Sequence, residues 1–299
     1  MKQQTLNEYL KSRYGKKLYK ISINAGLTCP NRDGTLGTGG CIFCSGTGSG
    51  DFAGDPGMSI SDQIENGKKR VQGKLPGEGF GYIAYFQAFT NTYGPIEKLE
   101  KMYMEAAMHD DIEIISIATR PDCLQDDVLE LISSVSRIKP VWIELGLQTI
   151  HERTAEYIRR GYPLSVYDEA VRKLRNLGIE TIVHVILGLP GETREDMLET
   201  VKYVRNSGVQ GIKLQLLHVL KGTDLADDYL AGKFSCLGME EYTDIICEAL
   251  MILPEDMVIH RMTGDGDKKL LIAPEWSKDK KRVLNLLRSK IETGPRFMS

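Results

Sequence analysis

Apolar residues along this chain fall into short dense runs, separated by longer stretches in which they recur every three to four positions. The dense runs cover residues 18–25, 81–87, 113–119, 141–147, 181–187 and 212–218. They are rich in Ile, Val, Leu and Tyr and barely interrupted by polar residues, which predicts strands buried on both faces. The helical spacing between them predicts one helix starting near 59 and others over 95–109, 125–137, 164–177 and 194–206, with Pro95 in a first turn. Such alternation predicts a parallel sheet covered by helices. Six strand-helix units are too few for a closed eight-stranded barrel. The expected fold class is therefore α/β, a partial open (β/α)6 TIM-like barrel with a C-terminal extension, in preference to a doubly wound sheet. In either architecture ligands gather at the C-terminal ends of the strands. The expected division is a basic N-terminal segment over 1–17, the barrel over 18–220, and an extension over 221–299. The extension holds a helix over 239–252 and a strand over 257–262, and is expected to cap the open side of the barrel.

Composition narrows the setting. The 299 residues are 41% hydrophobic, enough for one large core. No stretch approaches the roughly 18 apolar residues of a membrane span, and the first residues lack an apolar signal core. A cytoplasmic protein with no membrane partner is expected. The net charge of -3 hides an uneven distribution. Residues 1–20 carry six Lys/Arg against one acid, and residues 257–299 carry ten against five. Two basic ends fit a phosphate-rich partner held against paired termini, with tyrosines interleaved among the charges of residues 11–20. Two ordinary solvated faces account for the same pattern.

Six cysteines in an intracellular chain point to metal or redox chemistry rather than a disulfide framework. Cys29, Cys41 and Cys44 lie on one glycine-rich loop directly after the first predicted strand, at the catalytic end of the barrel. Three soft thiolates are one ligand short of closing a four-iron cluster or a tetrahedral zinc site. The remaining three, Cys123, Cys236 and Cys247, have no ligand-like spacing and read as buried apolar thiols.

With these residues in place, the chain resembles the radical S-adenosylmethionine (SAM) enzymes. In that family three cysteines hold a [4Fe-4S] cluster, and SAM chelates the fourth iron. The usual spacing is Cys-x3-Cys-x2-Cys; the Cys-x11-Cys-x2-Cys found here is similar to the elongator-type catalytic subunit and closer to the YhcC/YtqA group. The resemblance implies Cys29, Cys41 and Cys44 as cluster ligands, with Phe43 shielding the adenine side. It implies SAM contacts from Gln87, Thr90 and Asn91 after the second strand, and from Glu144 and Gln148 on the fourth. Arg159 or Arg160 stands where relatives meet the SAM carboxylate, and Gly188 and Gly191 where they approach adenine. Arg120 pairs either with an anionic group or with Asp122. His184, where many relatives have glycine, reads as a core histidine, and Gln215 and His218 as residues of the mouth.

The implied chemistry is reductive cleavage of SAM by a reduced flavodoxin or ferredoxin type donor, giving a 5′-deoxyadenosyl radical that abstracts hydrogen from substrate. Residues 260–266 and 271–277 resemble the C-terminal signature of the YhcC/YtqA group. That likeness implies a tRNA substrate, with the wobble-uridine side chain processed from carboxymethylaminomethyl toward aminomethyl. His260 and Arg261 would then contact nucleic acid or the side-chain carboxylate, and Trp276 would stack on a base or anchor the tail. A small metabolite such as a porphyrin precursor is the alternative substrate. A non-enzymatic iron-sulfur redox sensor is the alternative of another class.

Overall fold

The computed structural model describes residues 3–48, 50, 53–73, 79–264 and 266–293. Six strands, β1 (Lys17–Ile23), β2 (Phe80–Phe86), β3 (Ile112–Thr119), β4 (Val141–Gln148), β5 (Glu180–Leu187) and β6 (Gly211–Leu216), lie in chain order. All pair in parallel, so each return requires a crossover, as in a barrel wall. The sheet has a seventh strand. After β7 (Val219–Leu220), the strand β8 (Val258–Arg261) pairs in parallel with β6. The sequence predicts six barrel strands and a further strand over 257–262 within an extension that caps the open side. In the structure Val258–Arg261 continue the sheet, with Val258 and Ile259 buried as barrel-strand residues are. The result is a seven-stranded partial TIM barrel.

Helices α2 (Ile60–Gln72), α3 (Ile96–Ala107), α4 (Asp126–Ser136), α6 (Leu164–Asn176), α7 (Arg194–Asn206) and α9 (Met239–Ile252) cover the convex face, with the short α5 (Glu152–Tyr157) following β4 and the short α8 (Asp224–Leu230) following β7. Their apolar stripes bury against alternate strand residues in one continuous core that includes Leu99, Ile132, Leu174, Val201 and Ile245. The C-terminal helix α10 (Lys280–Thr293) packs on α9, where Lys290 bridges Glu240 and Asp244 at 2.8 and 2.5 Å.

The concave face is layered, because side chains two apart on a strand share a face. Leu18, Ile83, Ile114, Trp142 and Ile182 form an apolar layer at the N-terminal ends of the strands. Helix α1 (Leu6–Tyr14), started by a Thr5–Glu8 capping box, seals it with Leu10. The basic N-terminal segment therefore lies at the end of the barrel opposite the cysteine loop. This corrects the expectation that both basic termini would face one partner. Two residues further along the same strands come Lys20, Tyr85, Ser116, Glu144 and His184, joined by Lys213 of β6.

Candidate functional site

The cysteine loop leaves β1 and folds back on itself. Pro30 O accepts from Leu36 N at 2.8 Å and Asn31 O accepts from Gly40 N at 2.7 Å, so the eleven intervening residues close a local excursion that returns Cys41 toward Cys29. The buried Asn31 pins its base, donating from Nδ2 to Arg159 O at 2.6 Å and to the Cys41 thiol at 3.4 Å. Arg32 crosses the far side and donates to Ser45 O at 2.7 Å. The Cys41 thiol is held below the usual thiol range, first by the hydrogen bond with Cys44 and then by Arg120, against the effect of burial. Cys123 and Cys236 behave oppositely, with burial pushing them up to about 12 and about 11. Cys41 combines partial exposure with the nearby cations Arg120 and Arg32, as a metal-binding thiolate requires.

A cavity of about 250 Å³ opens between this loop and the strand ends. It brings together Cys29, Cys41 and Cys44 with Phe43, Gln87, Thr90, Glu144 and Gln148, and also Arg160, His184, Gln215, His218 and Arg261. Strand β4 is bulged between Gly146 and Gln148, and Gln148 itself sits at φ +69°. A bulge next to a site re-aims a side chain, and a non-glycine residue in the left-handed region signals local strain. Gln148 Oε1 is buried there without a hydrogen-bond partner among the described residues. An orphaned acceptor at the cavity wall fits a ligand that brings donors, such as the ammonium or ribose hydroxyls of SAM.

Several residues singled out from sequence stand elsewhere. Asn91 is fully buried and donates to Phe86 O at 3.0 Å and Ala118 O at 2.9 Å, tying β2 to β3 rather than lining the cavity. Arg159 stands outside the cavity lining: its guanidinium pairs with Asp224 at 2.5 Å beside Gly39 of the cysteine loop, and its backbone carbonyl accepts from Asn31. Arg160 lines the cavity but spends its donors on Thr149 O (2.6 Å), Tyr162 O (3.0 Å) and Glu152 (3.1 Å). Arg120 forms a bidentate pair with Asp122 at 2.9 and 2.7 Å, the structural alternative, while still reaching the wall. Gly188 and Gly191 take φ of +88° and +82° but lie outside the lining; a Cβ on Gly188 would meet Leu237 at 3.0 Å. Gly188 is a close approach between β5 and the C-terminal region. His260 packs edge-on against Trp142 in the floor of the barrel, outside the cavity lining, and Trp276 donates to Leu237 O at 3.0 Å, anchoring the tail.

The polar layer beneath the cavity was only partly legible in the sequence, which singled out Glu144 and His184 and missed Lys20 and Lys213. The Glu144 carboxylate is completely buried. One oxygen accepts from Lys20 at 2.8 Å and Ser116 at 2.7 Å; the other accepts from His184 at 2.8 Å and from Lys213. Burial opposes its ionisation, but Lys20 and Lys213 outweigh it and hold the carboxyl well below its usual range. Burial pushes His184 down to about 4, so at neutral pH its uncharged ring donates to Glu144. Lys213 is lowered by the same cause. Glu144 meets a ligand only by releasing one of these four partners.

A family model described as "Radical SAM superfamily" matches residues 28–204, and one for the "Radical_SAM C-terminal domain" matches 209–293. The chain, with its thiol loop at the mouth of a partial barrel, belongs to the radical SAM superfamily. Within it, the chain is 46% identical to protein YtqA of Bacillus subtilis, over 96% of this chain and 89% of that one. It is 36% identical to protein YhcC of Escherichia coli, over 91% and 86% of the two chains. A shorter stretch, 57% of this chain and 31% of the other, is 25% identical to the tRNA uridine(34) acetyltransferase of Methanocaldococcus jannaschii. Among solved structures, archaeal Elp3 from Methanocaldococcus infernus superposes with a TM-score of 0.67 at 16% identity, covering 92% of this chain and 63% of that one, and shares the fold. The superfamily implies a [4Fe-4S] cluster and SAM, and the thiol loop and the orphaned Gln148 acceptor fit both. Among the described residues no helix is long and apolar enough to cross a membrane.

Proposed function

We propose that this radical SAM enzyme modifies tRNA at the wobble uridine, carrying a carboxymethylaminomethyl side chain toward an aminomethyl one. The observation that carries the reading is the charge at the rim. Leu220 of β7 and Gly266, in the loop that leads into β9 (Leu271–Ala273), border the mouth, and the exposed Lys221, Lys268 and Lys269 stand next to them in the chain. Cations around an opening favour a phosphate backbone, and a base reaches such a chamber by leaving its stack. The partial likeness to a tRNA uridine(34) acetyltransferase points the same way.

Cys29, Cys41 and Cys44 would hold the cluster, which together with SAM would supply one-electron cleavage of the sulfonium and hydrogen abstraction from substrate, with the electron coming from a donor of the reduced flavodoxin or ferredoxin type. The chain supplies the rest. Asn31 and Arg32 hold the loop in shape, Gln148 accepts from the ligand's donors, and Gln87 and Thr90 add polar contacts at the strand ends. Aliphatic walls such as Ile186, Leu216 and Leu217 keep water from the chamber. Mass spectrometry of tRNA nucleosides from a deletion strain tests the substrate: an accumulated wobble-uridine precursor is expected. An unchanged profile would reject tRNA in favour of a small metabolite. Binding to tRNA should also weaken steeply between low and moderate salt, since it depends on neutralised phosphates.

A further inference from the structure

The polar layer at the base of the cavity holds more donors than acceptors. Two ammonium groups share one carboxylate: Lys20 reaches Glu144 at 2.8 Å and Lys213 reaches its other oxygen. Ser116 and His184 occupy what remains of Glu144. Lys213 has one further partner, the Tyr85 hydroxyl at 3.2 Å, and the Tyr85 ring lies between the two ammoniums at 4.5 and 4.7 Å from its centroid. Each lysine carries three N–H donors, so among the described residues both retain unmatched ones. Tyr85, Glu144 and His184 all line the cavity, as does the cationic Arg261.

A buried ammonium with spare donors is unfavourable unless an acceptor reaches it. The surplus lies directly behind the chamber wall: neither lysine lines the cavity itself, but both stand against Glu144 and Tyr85, which do. We propose that this layer is the recognition site for a carboxylate of the substrate, gripped by Lys213 and Lys20 and oriented by the Tyr85 hydroxyl. The Glu144 carboxylate already demonstrates the fit: it meets both ammoniums at hydrogen-bonding distance, and a substrate carboxylate would take the donors it leaves over. The assignment rests on the cavity being the reaction chamber and is independent of the tRNA reading. Burial lowers Lys213 and an arriving anion raises it again, so binding should take up protons and weaken as pH rises.

The test uses cluster-reconstituted protein saturated with SAM, so that SAM's own carboxylate site is filled. Acetate, acetamide and inorganic phosphate serve as probes, observed by saturation-transfer NMR. Acetate should bind and acetamide should not. Removing one charge-assisted partner in Lys213→Met should weaken acetate about tenfold or more. Should Lys213→Met fold poorly by circular dichroism, Lys20→Met, at a position that keeps contact with solvent, should show the same loss. Equal binding of acetate and acetamide, acetate binding unchanged in the variants, or phosphate binding more tightly than acetate would each overturn the proposal. Because no tRNA is present, these outcomes stay separate from the nucleoside profile.

Discussion

Glu144→Gln puts the buried charge layer to a quantitative test. The substitution keeps the shape of the side chain and removes the anion that Lys20, Lys213, His184 and Ser116 share, all at 2.8 Å or less. The amide turns an N–H₂ group toward one pair of donors, so two hydrogen bonds become donor-donor contacts. Lys20 retains 22% side-chain exposure and can turn to solvent, whereas Lys213, at 2%, cannot. Breaking a buried pair by deleting one partner costs about 3–5 kcal/mol. For a chain of this size that is a drop of roughly 5–8 °C in Tm, read by differential scanning calorimetry. The sign of the pH dependence follows. In the variant nothing raises Lys213 back up, so the folded state binds fewer protons than the unfolded chain, and stability should recover as pH rises. The paired replacement Glu144→Met with Lys213→Met removes the anion and its most deeply buried partner together, and should lose far less than the sum of the single changes. A Glu144→Gln protein within about 1 kcal/mol of wild type, or a double variant as unstable as that sum, would refute the reasoning.

Three further outcomes are expected. The His184 ring, lowered to about 4 from an ordinary value of 6.5, binds a proton in the unfolded chain before it does so in the folded one; stability should therefore fall as pH drops from about 6.5 toward 4, by up to about 3 kcal/mol, and His184→Gln should flatten that limb of the profile. Arg160→Ala strips donors from the carbonyls of Thr149 and Tyr162 at a nearly fully buried side chain, and denaturant titration should show a loss of about 3 kcal/mol or more. Asn31→Ala frees the base of the cysteine loop without touching a thiol, so the reconstituted cluster should lose iron to a chelator severalfold faster than wild type while the circular dichroism spectrum stays unchanged.

The architecture was legible because parallel strands buried on both faces must be nearly all apolar, and the six runs could be counted. The strand over 257–262 was legible but its membership of the barrel was not: Val258–Arg261 is only four residues long and follows the helix Met239–Ile252, so it reads as part of an appendage. The cysteines stood out through their spacing, but the meaning of the long gap did not, since it depends on the Pro30 and Asn31 carbonyls closing the loop. The polar layer left a signal that went unused. Lys20, Tyr85, Ser116, Glu144 and His184 each stand two residues beyond a position on the barrel's floor, on the same inward face of their strands, and Lys213 of β6 joins them. Aligning the strands by that position would have found Lys213. No such pattern separates Arg159 from Arg160, because Arg159 takes φ +57° at the end of a short helix and the turn decides which guanidinium faces inward.

The central claim is that Cys29, Cys41 and Cys44 hold a cluster that cleaves SAM in this barrel. Anaerobically reconstituted protein, reduced with dithionite and mixed with SAM, should release 5′-deoxyadenosine, and Cys41→Ala should release none. Wild-type protein that binds iron yet forms no 5′-deoxyadenosine, or a Cys41→Ala protein that forms as much as wild type, would contradict the account.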